Sequence, residues 1–96
     1  MTEYEMVTLF HPDLDEEGVE RASQWLQDRI QSLGGEIIEV IPWGRRKLAY
    51  PINKQLEATY IQFDFSLDGA KVAELTRAMG ISEDILRQLV VRKQDR

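Results

Sequence analysis

Trp43-Gly44-Arg45-Arg46-Lys47-Leu48-Ala49-Tyr50-Pro51-Ile52-Asn53-Lys54 is a strand-like run broken by a glycine and a proline, with Pro42 immediately before it. Proline cannot donate to a sheet ladder, so a strand holding Pro42 and Pro51 belongs at a sheet edge or carries a bulge. Gly44 after Trp43 is the natural site for that bulge. The stretch is also chemically distinct. Residues 40–56 contain no acidic side chain but hold Arg45, Arg46, Lys47 and Lys54. Residues 1–39 carry ten Asp and Glu against Arg21 and Arg29 alone. A basic ribbon on an acidic body gives a partner one place to dock.

On either side of this ribbon the chain alternates between two periods. Residues 4–10 are rich in strand formers, with Met6, Thr8 and Phe10 on one face and Val7 and Leu9 on the other. Pro12 ends that strand. Asp13 or Asp15 can cap a first helix whose buried stripe is Val19, Ala22, Leu26, Ile30 and Leu33, with Trp25 at its border. Gly34-Gly35 stops it. A second strand starts at Glu36 and runs through the ribbon to Ile52, residues 53–55 turn, and residues 57–65 return as a third strand. Asp68 is the expected cap of a second helix, with stripe Val72, Leu75 and Met79, closed by Gly80. Residues 85–92 form the last strand, in which Leu89 and Val91 face opposite to Gln88, Val90 and Arg92. Leu26, Ile30, Leu75 and Leu89 are assigned to the core.

The order β-α-β-β-α-β requires both helices to bury their single stripes on one sheet face. With right-handed crossovers this is an α+β, two-layer ferredoxin-like sandwich on a four-stranded antiparallel sheet. That topology places the second strand at an edge, as the two prolines independently demand. Ninety-six residues suit a single domain over 1–96.

Several function classes find little support. No apolar run is long enough for a membrane span, and the cysteine count is zero, which excludes disulfides, thiolate metal sites and a cysteine nucleophile. A cytoplasmic location fits. His11, the only histidine, has no serine or cysteine nucleophile beside it in sequence. Asp13, Asp15, Glu16 and Glu17 lack calcium-loop spacing and read as helix-capping acids. No catalytic residue, metal site, cofactor or small-molecule substrate is therefore expected. A net charge of −5 also argues against a free-standing, high-affinity nucleic-acid binder.

The pattern Gly44-x-Arg46-x-Leu48-Ala49-Tyr50-Pro51-Ile52-x-Lys54 closely resembles the signature of the bacterial ribosomal small-subunit protein six family. The resemblance runs over nearly the whole chain, from Tyr4-Glu5 through Pro12-Asp13-Leu14 to Arg87-x-Leu89-Val90-x-Arg92. Lys47 is a mild departure, standing where the family more often has a polar or acidic residue or arginine. The resemblance implies the same fold and a structural, non-enzymatic role in the ribosome. It further implies binding to the central domain of small-subunit ribosomal RNA together with ribosomal protein S-eighteen. On this reading Arg45, Arg46, Lys47 and Lys54 meet RNA phosphates, joined by a second basic group on the last strand containing Arg87 and Arg92. Lys93 and Arg96 extend that second group, which is expected at the edge opposite Arg45 and so apart from the ribbon. Leu48, Tyr50, Tyr60 and Val90 are the sheet positions expected to pack against the protein partner. Four phosphate contacts would give a salt slope of only about −3, so the acidic protein should bind RNA weakly until a basic partner joins it.

Two readings from other classes remain. One is a small-molecule regulatory domain with a ligand cleft at a dimer interface. The other is an adaptor that pairs its edge strand with a partner protein. Co-purification separates them: ribosomal particles, a metabolite, or another protein alone.

Overall fold

A computed structural model describes residues 1–93. The elements run β1 (Thr2–Phe10), α1 (Glu16–Ser32), β2 (Glu36–Ile52), β3 (Gln55–Leu67), α2 (Val72–Ile81) and β4 (Ile85–Arg92). The four strands form one sheet in the order β2-β3-β1-β4, and each neighbouring pair is antiparallel. The two-layer ferredoxin-like arrangement is thus present, with the proline-bearing strand at an edge.

Local chemistry sets the helix limits. Asp15, not Asp13, caps α1: its carboxylate accepts from the Gly18 amide at 2.7 Å. Gly34 ends that helix with φ 91°, a conformation that costs glycine little. Asp68 caps a short 3-10 turn over Gly69–Lys71 through the Ala70 amide, and α2 starts only after it. The second helix also passes through Gly80 and ends at Ile81, because Gly80 keeps a negative φ and does not reverse the chain.

The core lies between the helices and one sheet face. Met6 and Phe10 from β1 meet Phe63, Phe65 and Leu67 from β3, under Leu26 and Ile30 of α1 and Leu75 and Met79 of α2, all fully buried. Thr8 shares that face and is also buried. Strand pairing carries the face assignment to β4. Met6 pairs with Val90, so Val90 packs against the core, while Leu89 lies opposite and is 61% exposed. The assignment of Leu89 to the core is therefore corrected. Both faces of β4 are apolar, and only its register against β1 decides which one the helices cover.

Candidate nucleic-acid interface

The ribbon departs from a plain strand at three places. The β2–β3 register shifts between Ile37 and Glu39, between Pro42 and Gly44, and between Lys47 and Ile52. At the second shift Gly44 takes φ 86°, which a side chain would strain. The third is the largest. Lys47 pairs with Glu57 and Ile52 with Gln55, so Leu48, Ala49, Tyr50 and Pro51 stand against Leu56 alone. Pro51 falls where the ladder is already interrupted, so its missing N–H removes no pairing there. Asn53 (φ 48°) and Lys54 (φ 66°) then close the hairpin as a two-residue turn of the kind that matches strand twist. Lys54 is exposed at its tip.

These bulges decide where each cation faces. Arg45 pairs with Thr59 and Lys47 with Glu57, on the side of the helices, while Arg46 pairs with Ala58 on the open side. Arg45 turns to the body and donates to the Pro12 carbonyl. Three adjacent cations therefore do not make one flat patch, since neighbours in a strand point to opposite faces. Arg46 lies with its guanidinium carbon 5.7 Å from the centroid of the Trp43 ring. Trp43 in turn stacks on Tyr60 at 5.9 Å with only 8° between the ring planes.

The basic residues of β4 are split in the same way. Arg87 pairs with Leu9 on the open face, whereas Arg92 pairs with Tyr4 on the side of the helices. Although β4 is the opposite edge from β2, Arg87 is not separated from the ribbon. Its guanidinium donates to the Tyr50 hydroxyl at 3.0 Å, so the expected gap is closed by the hairpin itself. Lys93 is committed elsewhere, 3.4 Å from the Asp64 carboxylate and 4.0 Å from Glu5. Arg96 lies outside the described residues.

Of the expected partner positions, Tyr50 is 61% exposed, and Tyr60 and Leu48 are half-buried. Val90 is withdrawn from the open face by its packing on the core; Leu89 and Val91 present apolar surface there in its place. Alternation alone ties Leu89 to Val91 but leaves their side of the sheet undecided. Among the described residues, no group of three or more histidine or acidic side chains is arranged to hold a metal ion. No described helix is long and apolar enough to cross a membrane.

This architecture has close relatives. The family model described as Ribosomal protein S6 matches residues 3–92. The small ribosomal subunit protein bS6 of Heliobacterium modesticaldum is 41% identical over 95 residues, covering 99% of this chain and 99% of that protein. Its counterpart in Trichormus variabilis is 41% identical over 93 residues, covering 97% of this chain and 86% of that protein. Among solved structures, 30S ribosomal protein S6 from Thermotoga maritima matches with a TM-score of 0.90 at 29% identity, over 96% of this chain and 87% of that one. Sequence and fold agree across nearly the full length, and the chain belongs to the Ribosomal protein S6 family.

Proposed function

We propose that this chain is a structural constituent of the small ribosomal subunit in the cytoplasm, binding the central domain of small-subunit ribosomal RNA together with ribosomal protein S-eighteen. As a member of a ribosomal protein family it is not an enzyme. The observation that carries the reading is the helix-free sheet face. Apolar side chains at Leu89, Val91 and Tyr50 are exposed there, with Arg87 next to Leu89 in the strand pattern and bonded to Tyr50, and Arg46 on the same face of the opposite edge strand. Exposed apolar surface next to positive charge suits a joint protein and RNA contact.

On this reading the protein partner packs on Leu48, Tyr50, Tyr60, Leu89 and Val91. Arg46, Arg87 and the hairpin-tip Lys54 meet RNA phosphates. Arg45, Lys47 and Arg92 point to the other side of the sheet and contribute less. Three phosphate contacts give a salt slope of about −2 to −3, too shallow for a protein of net charge −5 to hold RNA tightly alone. A basic protein partner adds contacts and presents the ribbon already oriented. The test is RNA affinity at several salt concentrations, with and without S-eighteen. Weak binding alone and strong binding with the partner are expected. Equal affinity in both conditions would overturn the cooperative reading.

A further inference from the structure

We propose that Trp43 is a positioning residue for RNA binding: its stack on Tyr60 holds the Arg46 guanidinium on the open sheet face, oriented for a phosphate before RNA arrives. The inference rests on the reading of Arg46 as an RNA contact and adds the residue that makes the contact efficient.

Three observations support it. The Trp43 ring plane is fixed, because it lies nearly parallel to Tyr60 on the neighbouring strand. The Arg46 guanidinium carbon is 5.7 Å from the Trp43 centroid, within the range where a cation and an aromatic face attract. Arg46 also takes part in no ion pair among the described residues, so its charge is not spent within the protein. The ring attracts the guanidinium as a charge, whereas phosphate is gripped through its N–H donors, of which arginine has five. The two contacts are therefore compatible. Arg45 differs, because its N–H edge is already engaged by the Pro12 carbonyl.

The backbone explains why Trp43 and Arg46 meet. In an unbroken strand, residues three apart point to opposite faces. The bulge at Gly44 inserts one extra residue between them and returns Arg46 to the Trp43 side. A free arginine must give up rotamer freedom when it grips a phosphate, and one held over an aromatic ring has given up part of it already.

The experiment measures RNA affinity of the complex with S-eighteen across salt concentrations. Arg46→Ala should weaken binding and flatten the salt slope by about one contact, roughly 0.7–0.9. Trp43→Leu should weaken binding about two- to fivefold, the range of an exposed cation–π contact, while the slope stays near that of the unchanged protein. Trp43→Phe should restore most of the loss. Added to Arg46→Ala, Trp43→Leu should cost nothing more. Arg46→Lys, at an exposed position that leaves the fold alone, keeps the charge but replaces the planar guanidinium by a flexible ammonium. It should also weaken binding at an unchanged slope. Without RNA, nitrogen-15 relaxation of the Arg46 side chain should show order lost in Trp43→Leu and kept in Trp43→Phe. If Arg46→Ala weakens binding but Trp43→Leu and Arg46→Lys do not, the positioning role is wrong while the RNA contact stands. If Arg46→Ala changes neither affinity nor slope, the contact itself fails, and the positioning role with it.

Discussion

The Arg87 guanidinium donates to the Tyr50 hydroxyl at 3.0 Å and so joins the two outer strands across the open face of the sheet. In a flat sheet those strands would be three spacings apart, about 14 Å, and Tyr50, standing against Leu56, would lie four residues beyond the Tyr60–Leu9–Arg87 row, roughly 13 Å further along. The hairpin must therefore curl inward, and the four unpaired residues Leu48 to Pro51 supply the slack. Two other side chains of that face are buried. Leu9 is only 8% exposed and Ala58 is fully buried, although both face away from the helices.

Tyr50→Phe tests this latch by removing one oxygen. Both partners are exposed, so global stability should change by no more than about 0.5 kcal/mol. Amide exchange should nevertheless speed up around Arg46 and Ala58 while staying unchanged around Val40 and Phe63. Uniform exchange along the hairpin would show that the latch does not hold it.

Two glycines should respond in opposite ways to alanine. Gly44 has φ 86°, and Gly44→Ala should cost about 1–2 kcal/mol because an L side chain is strained there. Gly80 is exposed in α2 with negative φ and open space where a Cβ would stand. Gly80→Ala should stabilise by about 0.4–1 kcal/mol, chiefly by restricting the unfolded chain. Chemical denaturation of both variants provides the check.

Element order was legible because each segment shows one clear period between recognisable stops. The edge position of β2 was legible because Pro42 and Pro51 are tolerated in few other places. What alternation could not reveal was parity. In β4, Leu89 and Val91 compete with Val90 for the core, and the pairing of Met6 with Val90 decides between them. In β2 the inserted residue at Gly44 determines whether Arg45 or Arg46 faces the helices. Lys93 looked like one more free cation because its partners, Glu5 and Asp64, come from two other strands. The Tyr50–Arg87 contact spans 37 residues of sequence and depends on the hairpin curl, which no local pattern encodes.

The corrected faces set the core energetics. Leu26 and Leu75 are fully buried, and Leu26→Ala or Leu75→Ala should each cost about 2–5 kcal/mol. Leu89→Ala, at a site 61% exposed, should stay within about 0.5 kcal/mol. Denaturant midpoints for the three variants decide the register of β4. A large loss at Leu89 would place that side chain under the helices.

Opposite faces of the sheet can be tested against each other through charge. Arg46 and Arg87 lie on the open face, while Lys47 and Arg92 lie on the helix side, and all four are exposed. Each double alanine variant removes the same formal charge, so any long-range electrostatic effect is matched. Only direct phosphate contacts should distinguish them. Loss of Arg46 and Arg87 together should flatten the salt dependence of RNA binding in the ternary complex by about 1.4–1.8, two contacts' worth. Loss of Lys47 and Arg92 should leave it nearly unchanged. Because Arg87 also holds Tyr50, the first pair needs a direct titration with S-eighteen to separate a lost phosphate contact from a loosened hairpin. Unchanged protein–protein affinity with a flattened RNA slope is the expected result. Equal flattening by the two pairs would mean that the RNA also reaches the helix side of the sheet edges and does not lie along the open face alone.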